Sequence, residues 1–324
     1  MKKILLAAVA ALAIVGCTQN EEIENVGNKA EISFKTIVSK TTRVTPMVTD
    51  NFSTFKVNAY NTEAVEMGTE ASLGTKFMED VTATKTENTW GIDKGPFYWP
   101  MTDNIQFFAY SPATNVKSYA ATTGYPTFSY TVQPVASQED LLVAKVENAT
   151  KAKNGTNGVS LAFAHILTQI NFSAKLEADA TYTVTKIEIS GANKTGTFTY
   201  GAATLTGAWT ATSEAASYEY AGNYNVTRDE NNIVTFSTGA NALMLLPQTL
   251  SAGAKISITY SVVKGGTTTF SGTKEVSLSG QKWEIGKNLR YTLELSSDAT
   301  AVTFNPTVNE WSTEEPGTIT PPAE

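Results

Sequence analysis

The chain has 324 residues, 24 Lys plus Arg against 31 Asp plus Glu, a net charge of −7, one histidine and one cysteine. An acidic chain is a poor ligand for nucleic acid or anionic lipid. A single cysteine forbids an internal disulfide, and one histidine leaves little for a zinc site or a histidine-based catalytic centre.

The first element is an export signal. Lys2 and Lys3 precede an apolar run from Ile4 to Val15, too short for a membrane span and of the length of a signal-peptide core. The run ends in Ile14-Val15-Gly16-Cys17, which has the form of a lipobox. The sequence therefore predicts a signal peptide over residues 1–16 and lipid on Cys17, with more than one acyl chain giving stable anchoring. Loss of Lys2 and Lys3 takes the basic count to 22 against 31 acids, so the processed chain carries −9. Residues 17–29 are polar and acidic, a tether between lipid and fold. Gln19 to Glu22 resembles the acidic export signal that follows the cysteine in surface lipoproteins of Bacteroidetes.

Threonine accounts for 49 residues. With Val, Ile, Tyr and Phe it favours strands, and capped helical periods are nearly absent. Ile32-Ser33-Phe34-Lys35-Thr36 alternates apolar and polar as a half-buried strand does. It is followed by Ser39-Lys40-Thr41-Thr42-Arg43, a polar loop holding one of only three arginines. Further strands are expected over 54–60, 76–83, 104–110, 127–132 and 141–146, separated by turn residues such as Ser111-Pro112. Residues 148–158 lack apolar periodicity and are read as a linker.

Beyond the linker, Ala254, Ile256, Ile258, Tyr260 and Val262 share one face of a strand, and Leu289, Tyr291, Leu293 and Leu295 share another. Lys264-Gly265-Gly266-Thr267 reads as a hairpin turn. The fold class expected is all-β with two tandem β-sandwiches, over residues 30–155 and 156–311, and a loose Pro-rich tail over 312–324.

Chemistry is sparse. His165, between Phe163 and Ile166, reads as a core or interdomain residue. No phosphate-binding glycine loop is present. A carboxylate pair for glycoside hydrolysis is set by space and not by spacing, and the 31 acids are read as solvated surface. The expectation is no catalysis, no metal and no cofactor. Phe97-Tyr98-Trp99 reads as strand-end core, with a sugar-stacking platform as the alternative. Trp283 and Trp311 carry the same two readings.

Five segments, taken in order, resemble the fimbrillin family, the lipoprotein pilus subunits of Bacteroidales. They are FYWPMTDNIQFFAYSP at 97–112, LAFAHILTQINFSAKL at 161–176, LLPQTL at 245–250, KWEIGKNLRYTLEL at 282–295 and VTFNPTVNEW at 302–311. The resemblance implies transthyretin-like sandwiches, a lipoprotein precursor at the outer membrane, and cleavage by an arginine-specific protease after the first strand. It implies that a neighbouring subunit's strand then fills the groove, as in β-augmentation. Carried onto this chain, the cut falls after Arg43, the removable strand holds Ile32 and Phe34, and Val302 and Phe304 lie in the donor or last strand. Residues 300–311 either donate or the chain only accepts a strand, as a tip or minor adhesin would. Implied partners are neighbouring subunits, the protease, the outer membrane through Cys17, and a host protein or glycan. The alternative function is a surface lipoprotein that binds glycan through Tyr98 or Trp99.

Overall fold

A computed structural model of the chain describes residues 29–38, 52–112, 114, 116–202, 207–212, 214–237, 241–298 and 302–310. Cys17, Arg43, Trp311, the expected signal peptide over 1–16 and the expected tail over 312–324 lie outside the described residues. The protein is all-β.

The first nine strands are β1 (Phe34–Val38), β2 (Thr54–Asn61), β3 (Lys76–Thr86), β4 (Thr89–Ile92), β5 (Ile105–Ser111), β6 (Val116–Ala120), β7 (Thr127–Thr131), β8 (Leu142–Ala149) and β9 (Val159–His165). Seven of them form one sheet in the order β1-β9-β8-β5-β2-β3-β4. Phe55, Val57, Ala59, Phe107, Ala109, Leu161 and Phe163 project from one face into a core that this sheet encloses by itself. The sheet curls until its outer strands, β1 and β4, lie against each other.

The remaining strands are β10 (Thr168–Leu176), β11 (Ala180–Asn193), β12 (Thr195–Thr199), β13 (Ala208–Ala211), β14 (Ala215–Glu219), β15 (Ile233–Thr235), β16 (Leu243–Leu245), β17 (Gln248–Thr249), β18 (Lys255–Lys264), β19 (Thr267–Ser277), β20 (Lys282–Trp283), β21 (Lys287–Leu295) and β22 (Val302–Glu310). Two sheets, β15-β10-β21-β22 with β16 added to β10, and β14-β11-β18-β19, share a core that includes Ile170, Phe172, Ile187, Ile258, Tyr260 and Tyr291. The alternation expected for β18 and β21 is present: Ala254, Ile256, Ile258, Tyr260 and Val262 are buried, as are Leu289, Tyr291, Leu293 and Leu295. Gly265 and Gly266 take φ of 59° and 77° between β18 and β19, the paired positive φ of a tight hairpin turn.

A fourth sheet, β13-β12-β7-β6, draws strands from both halves. It covers the outer face of the seven-stranded sheet: Phe128 and Tyr200 meet Tyr110 and Phe108, and the Tyr200 hydroxyl donates to the Ala109 carbonyl at 2.8 Å.

The polar run 148–158 is not where the sheets divide. It holds a single helical turn, α1 (Lys151–Asn154), capped by Thr150, which returns the chain into β9 beside β8. The change of sheet comes at Ile166 and Leu167, between β9 and β10. That passage is held by the Trp209 indole N–H donating to the Ile166 carbonyl at 2.7 Å, and by Gly286 N–H donating to the Leu167 carbonyl at 3.0 Å. His165 lies at this passage, buried, with Nδ1 2.7 Å from Asp140 Oδ2.

Candidate functional site

The segment that the family resemblance implies to be removable, residues 30–38, is paired along β9 and bridged at its start to residues 97–99. Along one edge β1 runs parallel to β9, Phe34 opposite Val159 through Val38 opposite Phe163. Along the other, Ile32 N–H donates to the Phe97 carbonyl at 2.8 Å and Trp99 N–H donates to the Ala30 carbonyl at 3.0 Å. Residues 30–38 therefore close a slot between β9 and the 97–99 segment.

The side chains explain why the segment takes this seat. Ile32, Phe34 and Val38 are buried, while Ser33 and Lys35 face solvent. Phe34 packs edge-on against Phe55 at 5.7 Å and Phe107 at 5.9 Å between centroids. Full burial of each large apolar side chain contributes roughly 1.5–3 kcal/mol. An emptied slot would leave these walls and the outward groups of β9 without their partners.

The slot has a narrow point. A Cβ on Gly158 would stand 2.8 Å from Ser33 Oγ and 3.0 Å from the Ser33 carbonyl, and the residue holds φ +76°. Both the close approach and the backbone angle call for glycine.

Backbone orientation alternates along β1. The Ser33 carbonyl accepts from Val159 N–H, whereas the Ile32 N–H points the other way. By the same alternation the N–H of Thr36 points away from β9.

The other residues of interest separate. Val302 is buried and Phe304 half-buried on β22, an edge strand paired antiparallel to β21. Phe304 stacks edge-on with Tyr291 at 5.2 Å, while Val308 is 54% exposed. The edge also accommodates Pro306, which has no N–H to give a ladder.

The aromatic trio is divided. Trp99 is 5% exposed and packs on Phe107 inside the slot core, so it cannot serve as a sugar platform. Tyr98 is 43% exposed, with Lys29 Nζ 5.9 Å from its ring centre. Trp283 is core, its indole N–H donating to the Tyr291 hydroxyl at 2.9 Å.

Two arginines are engaged through their guanidinium groups. Arg228 lies on a half-buried strap rather than on an open turn, donating to the carbonyls of Glu177 at 3.0 Å and Ala180 at 2.8 Å. Arg290 donates to the Phe172 carbonyl at 3.2 Å and Ser173 Oγ at 3.0 Å from within β21. Among the described residues no group of three or more His, Cys, Asp or Glu could hold a metal ion.

Sequence reasoning missed β9 as the wall of the slot. The only local signal was Gly158 immediately before an apolar alternation.

The sequence profile of the family described as fimbrillin-like matches residues 42–311. Fimbrium subunit Fim1C of Phocaeicola vulgatus is 29% identical over an alignment covering 96% of each chain. The chain resembles in fold a fimbrial protein from Bacteroides vulgatus, with TM-score 0.66 and 18% identity, over 88% of this chain and all of that one. It also resembles a putative cell adhesion protein from Bacteroides ovatus, with TM-score 0.54 and 14% identity, over 89% of this chain and 99% of the other.

Proposed function

The chain belongs to the fimbrillin-like family of fimbrial subunits, and from that premise we propose that β1 is a placeholder, released by cleavage after Arg43 and replaced by a strand from a neighbouring subunit. The precursor is anchored to the outer membrane through lipid on Cys17, and the processed subunit joins a fimbrium at the cell surface.

The observation that carries this reading is a match between the two ends of the fold. Ile32-Ser33-Phe34-Lys35-Thr36-Ile37-Val38 and Val302-Thr303-Phe304-Asn305-Pro306-Thr307-Val308 share the pattern aliphatic, x, Phe, x, x, x, Val. Laid in that register, Phe304 takes the seat of Phe34 and Val308 that of Val38. Pro306 falls on Thr36, whose N–H points away from β9, so its missing donor costs no ladder bond there. A half-buried Phe304 and an exposed Val308 both gain burial by moving into the slot.

The arginines support the same cut. A protease that reads arginine must take the guanidinium into its own pocket, and those of Arg228 and Arg290 are bound to the fold. Arg43 follows the strand that has to leave.

The test uses the chain from residue 18 to 324 and an arginine-specific protease. The new N-terminus is expected at Val44, and a peptide of residues 300–310 should displace fragment 18–43 and restore the melting temperature. Cleavage elsewhere, or a cleaved protein that takes up no peptide and loses no stability, overturns the proposal.

A further inference from the structure

We propose that Met101 is a site of oxidation by peroxides, and that its sulfoxide, held by Lys151, latches together the two walls of the seat in which β1 begins. The site and the latch belong to the uncleaved chain. Only the delay they would impose on the departure of β1 rests on the strand-exchange reading.

Met101 stands apart from the other described methionines. It is 67% exposed, whereas Met78 and Met244 are buried and Met67 packs half-buried against the core. Oxidation of a thioether to the sulfoxide requires that the oxidant reach the sulfur. A cation already faces this sulfur: Lys151 Nζ donates to Met101 Sδ at 3.4 Å.

The contact crosses the mouth of the seat. On one side, the Phe97 carbonyl accepts from Ile32 N–H and Trp99 N–H donates to the Ala30 carbonyl, and Met101 follows two residues later. On the other side, Lys151 opens α1, from which the chain runs through Gly158 to Val159, whose N–H donates to the Ser33 carbonyl at 2.8 Å. Residues 30–33 therefore lie between the 97–101 segment and the 151–159 connection, and the Lys151–Met101 contact joins the two.

Oxidation strengthens that joint. A thioether sulfur is a weak acceptor. In the reaction with hydrogen peroxide a sulfur lone pair attacks one peroxide oxygen, the S–O bond forms as the O–O bond breaks, and the second oxygen leaves as water with the proton of the first. Sulfur loses two electrons and the peroxide gains them. The new oxygen is the negative end of a strong dipole, and a hydrogen bond to it from an ammonium group is charge-assisted. The sulfoxide is also neutral overall. This end of the fold already carries Glu31 and Asp103, the latter accepting from Asn61 Nδ2 at 2.7 Å. Lys151 thus gains a better acceptor with no further negative charge beside those two carboxylates.

The test uses the uncleaved chain, residues 18–324, hydrogen peroxide, and the variants Lys151→Ala and Met101→Leu. Peptide mass spectrometry should find Met101 oxidised roughly tenfold faster or more than Met78 and Met244. Hydrogen exchange should then be slower at the Ile32 and Trp99 amides of the oxidised parent, by about threefold or more. Lys151→Ala should still be oxidised at Met101 but show no slowing, and Met101→Leu should show none after the same treatment. Oxidation of Met78 or Met244 ahead of Met101 overturns the site. Exchange that is unchanged or faster in the oxidised parent, or slowed equally in Lys151→Ala, overturns the latch. These amides report on the seat before any cleavage, so either failure leaves strand exchange standing, and a cleaved chain that takes up no 300–310 peptide would overturn strand exchange without touching the latch.

Discussion

Phe34 stands edge-on to Phe107, with ring centroids 5.9 Å apart and planes at 85°. The two rings belong to strands that are not neighbours in the ladder, since β9 and β8 lie between β1 and β5. The contact crosses the interior of the curled sheet, so the first strand is held by its side chains as well as by its edges. Phe34→Ala should destabilise the uncleaved chain by about 3–5 kcal/mol, seen as a lower urea midpoint, and should speed release of fragment 18–43 after cleavage. An unchanged midpoint would mean that the ring contributes little to the seat.

Phe304→Ala makes the opposite division. The side chain is half-buried on an edge strand, so the monomer should lose well under the cost of Phe34→Ala. Polymer growth should nonetheless fall steeply, because the truncated side chain leaves the Phe34 seat empty. Chemical denaturation and light scattering on the same preparation separate the two effects.

Gly158→Ala tests the narrow point of the slot. The added methyl would meet Ser33 at 2.8 Å with φ at +76°, a strain of about 1–3 kcal/mol. Residue 33 and its proposed replacement, Thr303, both pass this point. The variant should therefore weaken both the seating of β1 and the capture of the 300–310 peptide, measurable by calorimetric titration of the cleaved protein.

Asp140 and His165 are buried together where the chain leaves the seven-stranded sheet. Asp140→Ala removes one partner of a buried hydrogen bond and should cost about 1–3 kcal/mol. Asp140→Asn keeps a hydrogen-bonding group there and should cost less. If the two variants unfold at the same urea concentration, the hydrogen bond at this passage matters less than packing.

Alkali should weaken the fold through its phenols. Burial pushes the hydroxyls of Tyr218, Tyr260 and Tyr291 up to about 12, and for Tyr291 the hydrogen bond from Trp283 pulls part of the way back. An unfolded tyrosine ionises near pH 10, so above that value the unfolded state binds fewer protons than the folded one. Stability is then full below about pH 10 and is lost as pH rises toward 12. Urea midpoints measured from pH 8 to 12, alongside phenolate absorbance, should show a plateau followed by a fall.

The class of fold, and which face of most strands is buried, could be read from residue order. Alternation at Ala254–Val262, Leu289–Leu295 and Ile32–Phe34 is a local property, because adjacent side chains on a strand point to opposite faces. Residue order also supplied the segments that resemble the fimbrillin family. What lies beside each strand emerges in three dimensions. Backbone hydrogen bonds carry no sequence information, so nothing local in Phe34–Val38 names β9 as its parallel partner or Phe97–Trp99 as the opposite wall. The same blindness made 148–158 look like a division between sheets, since a polar connection reads alike whether it joins two bodies or two adjacent strands. Tyr98 and Trp99 make the point at the scale of one residue: they are neighbours in one aromatic run, and the alternation of the chain against the slot buries Trp99 while leaving Tyr98 in solvent.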